Sequence, residues 1–176
     1  MDLPTGTKLI PLQMHRDQRG IFTEIFRSEW DPGIRPVQWN LVTSRTGTLR
    51  GVHVHAVHDD YLIVIQGKAL IGLKDLRRAS PTEGKTTLVP LDGEALQAIV
   101  IPHGVAHGFY FQTPAVHLYA VSHYWDTDDE LGCRWDDPEL GILWPEIPAY
   151  LSERDKNACS YRELLKTLER RQPIKA

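Results

Sequence analysis

Apolar residues along this chain recur in short blocks, most of them too short for helices and bounded by turn-forming residues. The blocks run from Lys8 to Leu12, Gly20 to Phe26, Val37 to Thr43, Thr48 to His53, Tyr61 to Gln66 and Lys68 to Lys74. They continue from Thr86 to Pro90, Ala98 to Ile101, Gly108 to Phe111 and Val116 to His123, punctuated by Gly, Pro, Asn and Asp. Short runs so punctuated predict an antiparallel sandwich or barrel. Gln66-Gly67-Lys68 and Leu91-Asp92-Gly93-Glu94 read as tight hairpins. The tail has a different period. Ser160-Tyr-Arg-Glu163 has capping-box spacing, and Leu164, Leu165 and Leu168 follow at helical intervals until Pro173 stops them. One helix of about three turns is expected there, with Lys166, Glu169, Arg170 and Arg171 on a solvated face.

Composition narrows the class without naming a function. At 176 residues, 41% hydrophobic and 24% charged, the chain reads as one globular domain over residues 1–176. Residues 156–176 are expected to form a helical tail packed on it. A net charge of −3 and a pI of about 6.2 argue against nucleic-acid binding. Apolar runs such as Leu62 to Ile65 and Ala95 to Pro102 are too short to span a membrane. Met1-Asp-Leu-Pro-Thr-Gly lacks a basic segment leading into an apolar stretch, so no signal peptide is expected. Cys133 and Cys159, without paired spacing, read as reduced thiols of a cytoplasmic protein.

The candidate chemistry sits in Gly47-Thr-Leu-Arg50-Gly-Val-His53-Val-His55-Ala-Val-His58-Asp59-Asp60. Residues two apart on a strand share a face, so His53 and His55 project together. Imidazole transfers protons near neutral pH and is the commonest metal ligand. Ile101-Pro-His103-Gly-Val-Ala-His107-Gly-Phe109 brings two more histidines after another apolar strand. The two segments are expected to converge in one pocket.

The spacing Gly47-x5-His53-x-His55-x4-Asp60-x6-Gly67 resembles the first motif of the cupin superfamily, with Asp for the usual Glu, and Pro102-x-Gly104-x2-His107 resembles the second. That likeness implies a β jelly roll but is too broad to give a function. A narrower likeness runs through most of the chain. Asp17-Gln-Arg19-Gly20-Ile-Phe22-Thr-Glu24, Gln38-Trp-Asn40, Leu49-Arg50-Gly51-Val-His53 and Asp75-Leu-Arg77-Arg-Ala-Ser80-Pro81-Thr82-x-Gly84 occur in order. Ile101 to Phe109, Tyr119, Trp135-Asp136-Asp137-Pro138, Trp144-Pro145 and Leu151-Ser152-Glu-Arg-Asp155 follow. This series resembles the dTDP-4-dehydrorhamnose 3,5-epimerase family.

The resemblance implies inversion, without cofactor, of carbons flanking the 4-keto group of a nucleotide-linked 6-deoxyhexose. Such chemistry needs a base, a stabiliser for the enolate oxygen and an acid on the opposite face. By resemblance His53 is the base, Asp155 its orienting carboxylate and Tyr119 the acid. Arg50 and His107 match sugar-pocket positions, and Gln38 and Asn40 match residues around the diphosphate and sugar. Trp125 falls where the family offers an aromatic to the base. Arg19, Phe22 and Glu24 match nucleotide-binding positions that reach a neighbouring subunit's site, which implies a homodimer with exchanged N-terminal strands. A nucleotide sugar is the implied substrate, in a pathway feeding surface polysaccharide or a glycosylated metabolite.

The chain departs from the family at two places. Asp60 occupies the position of a family lysine thought to stabilise the enolate, where a carboxylate would repel the developing charge. Either Arg50, His55 or a protonated His58 takes over, or only one carbon is inverted. Val42 stands where the family usually has serine. The same Asp60 opens a second reading, in which His53, His55, Asp60 and His107 are ligands of a metal-dependent isomerase or oxygenase. A third is a catalytically silent binder of sugar nucleotides.

Plain structural roles account for other residues. His58 reads as part of a surface loop, His103 as shaping the turn after Pro102, and Asp126 to Glu130 as a solvated acidic loop without calcium-loop spacing. Trp30, Trp39, Trp135 and Trp144 read as packing residues, while His15, His117 and His123 carry no argument. Asp155 has the alternative role of starting the C-terminal segment, and Tyr119 that of filling the barrel.

Overall fold

The computed structural model describes residues 2–145 and 148–171. One sheet has the order β1-β9-β6-β11-β4, built from Lys8–Pro11, Gln97–Ile101, Asp60–Gln66, Ala115–Val121 and Gln38–Ser44. The facing sheet has the order β12-β5-β10-β7-β8, from Leu131–Gly132, Leu49–Val54, Val105–Phe111, Lys68–Asp75 and Thr86–Asp92. A separate ribbon pairs β2 (Met14–Asp17) with β3 (Gly20–Thr23). All of these ladders are antiparallel. From β4 to β11 each connection except β7–β8 crosses between the sheets, which is a jelly-roll path.

Burial explains why the strands read as continuous apolar runs. In β6, Leu62 and Val64 face the other sheet and join Ile71, Leu73, Val89, Ile99 and Phe111. Tyr61 and Ile63, the intervening residues, are equally buried on the outer face against Leu12, Ile34, Val100 and Ala120. A sheet covered on both faces demands apolar side chains at every position rather than every second one. Each such aliphatic side chain withdrawn from water contributes roughly 1.5–3 kcal/mol.

Both expected hairpins are corners between sheets instead. β6 and β7 flank Gly67 but lie in opposite sheets, as do β8 and β9 around Gly93. The corners stack on one another, Gly93 N–H donating to the Gly67 carbonyl at 2.9 Å. Gly67 has φ +81°, and a Cβ there would lie 2.2 Å from the Pro114 carbonyl oxygen. Local turn residues reverse the chain; they do not say which strand it then joins.

Two helices close the described chain. α1 (Glu153–Lys156) is capped by Ser152, whose Oγ accepts the Asp155 N–H at 3.0 Å. α2 (Tyr161–Arg170) carries the expected capping box: Ser160 Oγ accepts from Glu163 N–H, and the Glu163 carboxylate accepts from Ser160 N–H. Leu164 and Leu168 pack with Val52, Val54, Ala106 and Leu140 on the outer face of the second sheet. Pro173, the expected stop, lies outside the described residues. Trp135 and Trp144 pack in this layer as expected, whereas Trp30 and Trp39 are 40% and 42% exposed. Trp39 stands on the outer face of edge strand β4, where no strand or helix covers it fully. Among the described residues no helix is long and apolar enough to cross a membrane, and both cysteines are free.

Candidate active site

The space between the sheets opens at one end into a cavity of about 500 Å³. Strand β5 presents Arg50 and His53 to it, β10 His107, β6 Asp60 and β11 Tyr119, so both sheets contribute. His107 is the cross-strand partner of His53, and the ladder slips between His107 and Phe109. His53 and His55 both line the cavity as alternation required, although His55 lies just beyond the end of β5.

His53 Nε2 and Asp155 Oδ1 are 2.7 Å apart. Asp155 reaches that point from the first turn of α1, where its N–H binds the Ser152 cap, so it serves the helix start and the histidine together. Its Oδ2 accepts the Gly51 N–H at 3.4 Å. Burial works to raise the Asp155 pKa, but the His53 bond and charge hold it below the ordinary carboxylate value. The carboxylate therefore fixes the ring and is available to stabilise an imidazolium. The Tyr119 phenol is pushed up by burial and by the carboxyls of Asp60 and Glu130, so it stays protonated. Arg50 is tied to β4, its Nε donating to Ser44 Oγ and its Nη2 to the Thr43 carbonyl, each at 3.1 Å.

Behind the dyad lies a buried polar cluster that the sequence did not disclose. His58 is 2% exposed, not on a surface loop, with Nδ1 3.0 Å from Asp129 Oδ2. Asp129 is likewise not solvated: it also accepts the backbone N–H groups of Ala56, Val57 and His58. Burial opposes these bonds, yet together they hold its pKa down to about 2. His55 stacks on His58 with ring centroids 3.7 Å apart. Burial, then the neighbouring His58, depresses His55 to about 3; burial, then His55 and His53, places His107 well below its ordinary value. Both rings are therefore neutral near pH 7. Asp60 is driven up to about 7, chiefly by burial. His103 bonds Asp59 through Nδ1 at 2.8 Å beside its turn. His117 lines the cavity, stacked on Phe111, and burial lowers it to about 4.

Other expected positions divide into near and far. Trp125 lines the cavity, and its backbone N–H donates to Gln38 Oε1 at 3.1 Å. Gln38 Nε2 in turn donates to Asn40 Oδ1, so these two brace Trp125 from β4 without lining the cavity themselves. Arg19, Phe22 and Glu24 are not brought to the cavity of this chain. Arg19 binds Asp17, Phe22 is 64% exposed on the ribbon, and Glu24 pairs with Arg27. Of the four alternative metal ligands, His55, Asp60 and His107 converge, while His53 turns its Nε2 to Asp155.

The two five-stranded sheets make this a cupin-type jelly roll, and its open end holds the His53–Asp155 couple and Tyr119 in one cavity. The model of the dTDP-4-dehydrorhamnose 3,5-epimerase family matches residues 4–163, and the chain belongs to that family. A dTDP-4-dehydrorhamnose 3,5-epimerase of Sinorhizobium fredii is 35% identical over 169 residues, spanning 89% of this chain and 86% of that protein. A dTDP-4-dehydro-6-deoxyglucose 3-epimerase of a Streptomyces species is 34% identical over 155 residues, spanning 82% and 79%. Among solved structures, the dTDP-6-deoxy-D-glucose-3,5-epimerase of Legionella pneumophila in complex with dTDP-4-keto-L-rhamnose superposes with a TM-score of 0.86. Its identity is 30%, over 97% of this chain and 94% of that one.

Proposed function

We propose that this protein epimerises a nucleotide-diphosphate 4-keto-6-deoxyhexose at C3, C5 or both. The 2.7 Å couple of His53 and Asp155, set against Tyr119 on the facing sheet, carries this reading. The His53 nitrogen not bonded to Asp155 removes the proton from a carbon beside the ketone, and the C–H electrons pass into the carbonyl to give an enolate. Asp155 stabilises the imidazolium so formed. Arg50 supplies positive charge to the cavity wall and, with His107, meets the sugar's oxygens. Tyr119 returns a proton to the opposite face, the enolate electrons forming the new C–H bond. Solvent then reprotonates the phenolate and takes the proton from His53.

The test is proton NMR of the protein with dTDP-4-keto-6-deoxyglucose in D2O. Deuterium enters C3, C5 or both, and the pattern names the carbon. His53→Ala lowers exchange by about 10²–10⁴-fold; unchanged exchange in that variant would sink the assignment.

The working unit is proposed to be a homodimer with exchanged N-terminal strands. Ile21 and Phe22 on the ribbon, and Trp39 and Leu41 on the outer face of β4, are apolar and exposed in the single chain, and Arg19, Phe22 and Glu24 would then serve the partner's nucleotide. Light scattering should give twice the chain mass, and a monomer at micromolar concentration would refute the exchange. The proposed place of work is the cytoplasm, in keeping with the free thiols of Cys133 and Cys159.

A further inference from the structure

We infer that His117 is a substrate-binding residue of the cavity, its Nε2–H donating to an uncharged oxygen of the bound hexose. The inference rests on the epimerase reading for the identity of that sugar. His117 lies on β11 two residues before Tyr119, so the two side chains share a face about 7 Å apart along the strand. Both line the cavity, together with Arg50 and Phe109 from the facing sheet. A sugar that meets Tyr119 therefore lies beside His117 as well.

The ring stands where packing alone asks for a hydrocarbon. It is 1% exposed and stacks on Phe111 with centroids 5.2 Å apart, and the Phe109 centroid lies 6.0 Å away. Nδ1 is buried with no hydrogen-bond partner among the described residues. Phenylalanine would fill this aromatic layer without the orphaned atom, and a buried polar group left unsatisfied calls for a reason beyond packing. Burial, then the Arg50 charge, keeps the ring neutral near pH 7, so it carries a single hydrogen. A buried N–H without a partner is rarer in folded proteins than an unused lone pair. The lone pair therefore sits on Nδ1 and the hydrogen on Nε2, which is the donor the ring can offer to a molecule in the cavity.

The ladder shows why a donor is wanted there. The register partner of His117 on β4 is Val42, which also lines the cavity. Directly opposed residues share a face with Cβ atoms roughly 5 Å apart. Val42 stands where the family usually has serine and has no polar side-chain atom to offer. His117 restores one to the same patch of wall from the neighbouring strand. A neutral donor set among Val42, Phe109 and Phe111 suits a hydroxyl or keto oxygen; a phosphate draws charged donors instead.

The test compares His117→Phe, which keeps the ring's shape and removes its nitrogens, with His117→Gln, whose amide nitrogen can donate from a similar place. Initial rates of deuterium exchange into dTDP-4-keto-6-deoxyglucose give kcat and KM. Calorimetry gives the affinities for dTDP alone and for dTDP-6-deoxyglucose, which has no ketone and does not react. Circular dichroism checks that each variant is folded. In His117→Phe, kcat/KM and the affinity for dTDP-6-deoxyglucose should fall about five- to tenfold, with the affinity for dTDP held within about twofold. His117→Gln should recover most of the loss. Unchanged kcat/KM and sugar affinity in folded His117→Phe overturn the contact. A loss that extends equally to dTDP, or that His117→Gln leaves unrecovered, marks a packing role and overturns it too. Should wild type exchange no deuterium, the epimerase reading fails and calorimetry alone decides the contact. A loss confined to dTDP-6-deoxyglucose then keeps it, equal affinities remove it, and wild type that binds neither nucleotide overturns both.

Discussion

Two aspartates of this barrel are equally withdrawn from water and live in opposite circumstances. Asp75, at the end of β7, accepts from Arg77 N–H, Nε and Nη2 at 3.1, 2.8 and 2.8 Å, from Ser80 Oγ at 2.7 Å and from Thr82 Oγ1 at 2.6 Å. Burial works against its charge, but these donors hold its pKa at about 2. Asp60, at the start of β6, has one oxygen without a donor, and burial drives it to about 7. A carboxylate with a full set of donors is part of the framework. One that is buried and under-satisfied is tolerated where a site needs it. In sequence both aspartates stand within motifs that carry a family resemblance, and the donors tell them apart.

The largest expected effect tests that contrast directly. Asp75→Asn should cost about 3–5 kcal/mol, because it leaves the Arg77 guanidinium, 4% exposed, without its partner. Asp60→Asn at pH 7 should be no less stable than wild type, since burial disfavours the Asp60 charge and its Oδ2 has no donor among the described residues. Urea unfolding of both variants decides the matter, and equal losses would collapse the distinction.

Asp155 sharpens it from the middle ground, being a buried carboxylate whose main partner is a reacting group. Asp155→Asn should lower deuterium exchange by about 10²-fold or more while moving the unfolding midpoint far less than Asp75→Asn does. A stability loss matching that of Asp75→Asn, with exchange intact, would reassign Asp155 to the framework.

The smallest effect is one of pH. The folded-state pKa of Asp75 is depressed from 3.8 to about 2. Its contribution is therefore complete above about pH 3.8 and is lost as pH falls through about 2. The difference in stability between wild type and Asp75→Asn should close across that interval. A gap that stays constant down to pH 2 would mean that the carboxylate's charge is not what stabilises the network.

How much of this was legible beforehand varies with the range of the interaction. The capping box at Ser160 and Glu163 was readable because its partners are three residues apart. Nine of the strands were readable because the two packed sheets write their apolar demand into the chain, as in Tyr61 to Ile65, and β3 because its exposed ribbon still carries Ile21 and Phe22. β2 was missed: Met14-His-Arg-Asp17 has no apolar run, since its ribbon is largely exposed. The two corners at Gly67 and Gly93 were misread as hairpins because glycine reports a local reversal, and both choices of partner strand satisfy it. His58 and Asp129, 71 residues apart, were misread as surface groups for the same reason, because no local pattern marks a pairing at that distance.

The sequence by itself determined the all-β class, the C-terminal helix, and, through resemblance, six of the residues that now line the cavity: Arg50, His53, His107, Tyr119, Trp125 and Asp155. Those properties follow from near-neighbour spacing, period and motif order. The pairing of Asp155 with His53 was expected through that resemblance, while the tertiary structure alone decided that His53 leaves the group formed by His55, Asp60 and His107 and that Asp129 neutralises His58. Each of these depends on which donors reach a buried acceptor from distant strands. Burial makes such pairing energetically decisive, and chain order does not encode it.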